Sequence, residues 1–430
     1  MTIDYPRVLV LSNNSFSKSN SNGRTLGNLF RGWPKERVAQ FFISSDGPDF
    51  DVCDNYYQVR DLDVIKSLWN GERAVSGKDL IFSIQSSSVP KQSKPRRTAL
   101  KSLIRNYLWN IGFWKGKQFK QWINEFNPDL IVVQSGDSAF MLRLARKVAE
   151  DRKAPLVVYN TEGYLFFDHN FLPHHFSDFF AFPWFKKQYR KEFKKTLKFA
   201  QYCIYLNDKL EQDYQNFLPH KSSVIYNSSD MEFRPKGQIN QPPRISYLGN
   251  LGIKRHEALA EVGRLLQTIS PDLKIDVYGK AYPEVKNFFE QSPGVNYCGL
   301  ISYDQVKEVI YNSDIVMHVE KNDPVLNNEL RYAFSTKIAD SVCSGTPFVI
   351  YAPSNLACSQ YIVKTGAGWH ADTADRLREI INLIFRNEEI NNTIRKKAKS
   401  IAKQNHDSIL NARKMSDILF KLYANNITNV

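Results

Sequence analysis

The chain has 430 residues, 42% of them hydrophobic, and a formal net charge of +14 at pH 7. That length exceeds one ordinary hydrophobic core and points to two domains of similar size. No run of about 18 apolar residues occurs, so a membrane-spanning helix is excluded, and five scattered cysteines without a CxxC pair read as reduced core thiols of a cytosolic protein.

The first residues, MTIDYPRVLVLSNN, lack a basic start followed by a long apolar run, so Val8 to Leu11 reads as a strand rather than a signal peptide. The polar loop SNNSFSKSNSNG that follows is long for a strand-to-helix connection, and Asn22-Gly23 opens a helix whose free N–H groups suit a phosphate. VAQFFIS (38–44) is a second strand. Between Leu80 and Asn124 there are nine Lys or Arg and no Asp or Glu, so nine of the fourteen net positive charges sit in one segment. PDLIVVQS (128–135) and APLVVYNT (154–161) are continuous apolar runs, as expected of strands covered on both faces, and AFMLRLARKVAEDR between them has helical spacing. In FFAFPWFKKQYRKEFKKTLKFA, Phe185, Tyr189, Phe193 and Leu197 recur every four residues, the mark of a helix with an apolar stripe turned to the core.

RPKGQINQPP (234–243), rich in Pro and Gly, reads as a linker. The alternation then repeats: strands at 244–250, 274–280, 295–301, 314–320 and 347–353 with helical segments between, and a helical tail from about His406. The fold expected is α/β, with two Rossmann-like doubly wound parallel-sheet domains facing a cleft: 1–235, 236–405, and a helix over 406–430 packing back on the first domain. In such sheets ligands bind beyond the carboxyl ends of the strands.

Three motifs lie there in the second half. Gly249-Asn250-Leu251-Gly252 follows a strand and leads into Lys254 and Arg255, two cations beside a glycine turn that suit a diphosphate. Gly279 directly follows the next strand. In FSTKIADSVCSGTPFVI, Ser335 or Thr336 caps a helix and still offers a hydroxyl to phosphate. Lys337 lies in the first turn, where the helix dipole disfavours a cation unless an anion shares the site. Asp340 can accept hydrogen bonds from a ribose diol, and Gly345 ends the helix.

In order, YLGNLGIKRH, IDVYGK, VNYCGLISYDQVKEVIYNSDIVMHVE and FSTKIADSVCSGTPFVI resemble the landmarks of GT-B glycosyltransferases, specifically glycosyltransferase family 4, over about residues 240–370. The resemblance implies sugar transfer with retention from a UDP- or GDP-sugar held by the C-terminal domain to an acceptor held by the N-terminal domain, with no metal and no further cofactor. It places Lys254, Arg255, Ser335, Thr336 and Lys337 at the diphosphate, Asp340 at the ribose and Gly23 near the phosphates and transferred sugar. Glu162, just after an N-terminal strand, falls where related enzymes place an acceptor-side acid or base, and its alternative is a solvated loop residue. Two departures stand out: Tyr332 occupies the position of a family glutamate eight residues before Asp340, and Asp340 itself replaces a glutamate. Glu320 or Glu329 are the acids available to compensate. The DLD at 61–63 is similar to an Asp-x-Asp metal motif of another glycosyltransferase fold, but it reads here as a helix start.

The basic segment 91–122 carries Leu103, Ile104, Tyr107, Leu108, Ile111, Phe113, Trp114, Phe119 and Trp122 among its cations, a composition suited to an anionic membrane surface. No nucleic-acid recognition module is visible. The expectation is a cytoplasmic enzyme, peripheral on the inner face of the membrane, acting on a glycan or lipid-linked glycan in surface polysaccharide synthesis. A GT-B sugar-nucleotide epimerase and a nucleotide-sugar-binding or scaffolding subunit without turnover are the rival readings.

Overall fold

A computed structural model describes residues 4–18, 21–70, 75–76, 98–167 and 176–428. The basic residues 91–97 and His169, His174 and His175 lie outside them. The chain forms two compact units: Met1–Leu206 with Leu210–Ile225 and Asn411–Val430, and Asn207–Lys209 with Tyr226–Leu410.

In the first unit the described elements run β1 (Val8–Ser12), α1 (Ser21–Asn28), β2 (Val38–Phe42), β3 (Asn55–Gln58), α2 (Asp61–Asn70), β4 (Val75–Ser76), α3 (Ala99–Ile111), α4 (Lys117–Phe126), β5 (Leu130–Ser135), α5 (Ala139–Arg152), β6 (Leu156–Asn160), α6 (Phe176–Phe199), β7 (Tyr202–Tyr205), α7 (Asp208–Phe217) and β8 (Ser222–Val224). The sheet order is β4-β3-β2-β1-β5-β6-β7-β8, parallel throughout except for the short edge strand β4. β1 and β5 are buried along their whole length, which explains their unbroken apolar sequences.

The second unit runs β9 (Ile245–Leu248), α8 (Arg255–Ile269), β10 (Ile275–Tyr278), α9 (Pro283–Glu290), β11 (Val295–Gly299), α10 (Tyr303–Asn312), β12 (Ile315–Val319), α11 (Pro324–Glu329), α12 (Thr336–Ser344), β13 (Phe348–Tyr351), α13 (Ala357–Thr365), β14 (Trp369–Ala371), α14 (Ala374–Arg386) and α15 (Glu388–Ile401). Its parallel sheet has the order β11-β10-β9-β12-β13-β14. Ile245, Tyr247, Ile275, Val277, Ile315 and Met317 face one way and are covered by Leu259, Val262 and Leu266 of α8 and by Leu377, Ile380 and Ile384 of α14. The last helix, α16 (Ser408–Thr428), inserts Met415 and Leu419 beside Val8 and Val10 of the first unit.

Several sequence expectations are met locally and others shift. Asp61 and Asp63 begin α2, and Phe185, Tyr189, Phe193 and Leu197 of α6 are buried. Segment 234–243 lies against the second unit rather than free. Asp314 accepts from Lys236 Nζ at 2.9 Å, Asn240 N at 3.1 Å and Arg244 N at 2.7 Å, and this carboxylate satisfies its polar backbone. Cys298 is exposed, because the edge strand β11 turns it outward, whereas the other four cysteines are buried. Trp114, Phe119 and Trp122, read from sequence as membrane-facing, are core residues stacked around Phe41 and Tyr57. Among the described residues no helix is long and apolar enough to cross a membrane.

Candidate functional site

Both sheets reverse their strand order once, between β1 and β5 and between β9 and β12. The crevice outside the carboxyl ends at such a reversal is where doubly wound sheets bind ligands. In the second unit the loops after β9, β10 and β12 meet there.

The loop after β9 is pinned from several sides. Tyr247 donates its hydroxyl to the Asn250 carbonyl at 2.8 Å, and the Asn250 side chain accepts from Gly252 N at 2.8 Å. Gly249 N donates to the Tyr278 carbonyl at 2.9 Å. A Cβ at Gly279 would sit 2.2 Å from the Gly249 carbonyl, so the two loops touch through backbone and only glycine fits. The next residues are strained: Ile253 and Lys254 have φ of 59° and 57°, a left-handed region that a β-branched side chain rarely enters. Such residues cost about 1–3 kcal/mol each and cluster at ligand clamps.

The two cations of this loop differ sharply. Lys254 is half exposed and pairs with Asp323 at 2.8 Å. Such a solvent-screened pair is worth little and is readily exchanged for another anion. Arg255 is largely buried, with its side chain 11% exposed, and its guanidinium forks onto Glu320 at 2.8 and 2.6 Å; His318 Nε2 lies 3.2 Å from the same carboxylate. Burial pushes the Glu320 carboxyl upward, but the His318 hydrogen bond and the Arg255 charge outweigh it and hold it below its usual range. Arg255 can meet a diphosphate only by abandoning a buried carboxylate. Sequence reading named Arg255 and Glu320 separately but missed His318 and the pairing of the three, although His318 in β12 and Glu320 just past its end, two apart, fall on one side of the strand and gave the signal.

The helix quoted from the sequence forms as expected. Ser335 is the N-cap of α12 and accepts from Lys337 N at 3.3 Å, Thr336 is buried in the first turn, and Gly345 closes the helix at φ 85°. Lys337 is part-buried. Asp340 is buried within the unit, where its carboxylate accepts from Ser229 Oγ at 2.7 Å and Tyr303 OH at 3.3 Å. Tyr332 is buried, with its carbonyl accepting from Asn207 at 3.0 Å and Arg331 stacked over its ring.

In the first unit, Gly23 lies in the first turn of α1, and a Cβ there would come within 2.3 Å of the Ser15 carbonyl; the glycine lets loop and helix pack. The carboxyl ends of β1, β5 and β6 carry a polar cluster the sequence reading passed over. Asn13 donates to Asp137 at 3.4 Å, Ser138 donates to Asp137 at 3.1 Å, and Ser135 donates to Asn160 at 2.6 Å. Its signal was a buried strand running directly into Ser135-Gly136-Asp137. Glu162 follows β6 and is part-buried; desolvation pushes its carboxyl up to about 7. A carboxyl titrating there can take or give a proton near neutrality.

No protein-family model and no curated protein sequence matches this chain. Solved structures do. HepE of Anabaena, crystallised with UDP, superposes with a TM-score of 0.61 at 16% identity over 96% of this chain and 100% of its own. Sucrose-phosphate synthase of Thermosynechococcus elongatus gives 0.61 at 13% identity over 97% and 99%. WaaG, a glycosyltransferase involved in lipopolysaccharide biosynthesis, gives 0.55 at 13% identity over 96% and 99%. With two doubly wound parallel sheets and near-complete coverage on both sides, the chain has the GT-B fold.

Proposed function

We propose that the protein is a glycosyltransferase that moves a sugar from a UDP- or GDP-sugar to a glycan or lipid-linked glycan acceptor, with retention and without a metal, in surface polysaccharide synthesis. The second unit takes the donor. Lys254 releases Asp323 and meets the diphosphate together with Lys337 and the N-terminus of α12, whose partial positive charge and Ser335 and Thr336 hydroxyls complete the cradle. These groups stabilise the nucleoside diphosphate as it leaves. Arg255 holds the glycine loop by its fork onto Glu320, and Asp340, buried against Ser229 and Tyr303, is the carboxylate proposed for the ribose. The first unit takes the acceptor, with Glu162 orienting or deprotonating its hydroxyl.

The observation that carries this reading is the glycine-only contact of the loops after β9 and β10 beside a strained, exchangeable lysine, at the strand reversal of a GT-B unit. The complexes of HepE with UDP and with UDP-glucose support a nucleotide-sugar as the ligand class. Calorimetry with UDP and GDP tests it. Lys337→Ala should weaken binding by about 1.5–3 kcal/mol, the range of a charge-assisted hydrogen bond; unchanged affinity removes this lysine from the site. The buried Tyr332 in place of a glutamate favours one rival, a sugar-nucleotide-binding subunit without turnover. Incubation with labelled UDP- and GDP-sugars separates the two, since slow donor hydrolysis is expected of a transferase and binding without turnover of the subunit.

A further inference from the structure

Helix α6 is 24 residues long and has two unlike faces. Its buried face contributes Ala181, Phe185, Tyr189, Phe193 and Leu197 to the first unit. The opposite face leaves Phe176, Phe179, Phe180 and Trp184 bare, with Phe176 83% and Trp184 68% exposed. The 3.6-residue period brings those four onto one side. The same side continues toward the C-terminus as exposed Lys187, Arg190, Lys191, Lys194 and Lys198. Lys187 sits 5.8 Å from the Trp184 ring centroid, where the aromatic end passes into the cationic one.

Two neighbouring helices extend the apolar end. The N-termini of α3 and α6 are tied by Ala99 N donating to the buried Asp178 carboxylate at 2.6 Å. α3 leaves Leu100, Ile104, Tyr107 and Ile111 exposed at helical spacing. α2 is tied to α3 by Asp61, which accepts from Arg105 at 2.8 Å and Trp109 at 2.7 Å, and it exposes Leu62, Ile65 and Trp69. So many large apolar side chains on three joined helices exceed the scattered exposure of an ordinary monomer surface.

We propose that the exposed faces of α6, α3 and α2 dock the protein on an anionic lipid bilayer, with Phe176, Phe179, Phe180 and Trp184 entering the acyl boundary and the cations of α6 meeting lipid headgroups. Charge decides the occupant. Residues 98–124 hold no Asp or Glu, and α6 exposes six cations, Lys195 with the five above, beside the aromatics, so the surface asks for a negative partner. A second copy of this chain would bring its own net charge of +14 to the contact. Nucleic acid would use the cations but leave the aliphatic Leu62, Ile65, Leu100 and Ile104 without hydrocarbon to enter. A bilayer uses both, the apolar end below the headgroups and the lysines among them. The inference rests on the lipid-linked form of the acceptor in the proposed function, and it moves the contact from segment 91–122 to a surface in which α6 leads.

Co-sedimentation with vesicles of phosphatidylcholine alone, and of phosphatidylcholine with phosphatidylglycerol, tests it. The wild type should sediment with the anionic vesicles and far less with the neutral ones. The variant Phe179→Ser/Phe180→Ser/Trp184→Ser should bind at least about tenfold more weakly, since each lost aromatic removes apolar area from the acyl boundary. Lys187→Gln/Lys191→Gln/Lys194→Gln should lose the preference for phosphatidylglycerol. Both variants alter exposed positions only and should keep the wild-type melting temperature and UDP affinity; a UDP affinity absent from every variant and the wild type would instead be a failure of the donor reading. Equal sedimentation of wild type and aromatic variant overturns the proposal. So does a dimer on gel filtration that the aromatic variant abolishes, or duplex DNA binding lost in the same variants, without vesicle binding.

Discussion

Glu162 makes the most direct pH prediction. Its carboxyl titrates near 7 in the folded protein against an ordinary value of 4.5, because burial disfavours the charged form. The folded state therefore holds a proton that the unfolded chain has lost. The Glu162 contribution favours folding most at low pH and erodes as pH rises from about 4.5 to 7. Stability of Glu162→Gln should lose that slope, as read from urea unfolding across the same interval. If Glu162 is the acceptor base, kcat/KM should climb through about pH 7 in the wild type. The climb should vanish in Glu162→Gln, and its persistence would return Glu162 to a loop role. Arg255 and Glu320 make the opposite kind of prediction. Glu320→Gln strands a largely buried guanidinium and should cost about 3 kcal/mol in chemical denaturation, whereas Arg255→Met with Glu320→Met should recover most of it. If the double variant also keeps its UDP affinity, the arginine serves the loop and not the diphosphate.

Helix α12 shows what local sequence can and cannot specify. Its cap at Ser335 and its stop at Gly345 were legible because capping and left-handed closure need particular residue types within a few positions. Gly345→Ala should lower stability by about 1–2 kcal/mol, since φ is 85° and a Cβ would lie 2.9 Å from Pro235 N. The contact that makes Gly279 obligatory was not legible, because it depends on the backbone of a loop thirty residues earlier. Gly279→Ala should displace the Gly249 carbonyl and weaken UDP binding while leaving the rest of the sheet folded. Hydrogen exchange confined to the loops would show that. On α6 the four-residue stripe was readable, but the bareness of Trp184 was not: periodicity separates faces without saying which neighbours cover them.

The two-sheet architecture was the most legible feature, because strands buried on both faces write themselves as apolar runs such as those that open β1 and β5. Less legible was which aromatic residues of the basic segment reach solvent. Trp114 and Tyr107 look alike in sequence, yet one stacks on Phe41 and the other is exposed. If the second unit holds the nucleotide, UDP or GDP should raise the melting temperature of the wild type, as any ligand of the native state does. A crystal soaked in UDP decides the matter. The diphosphate should lie within hydrogen-bond reach of Lys254 or Lys337 at the N-terminus of α12, with Arg255 still on Glu320. A diphosphate bound away from that helix, or held by the first unit, would contradict the assignment.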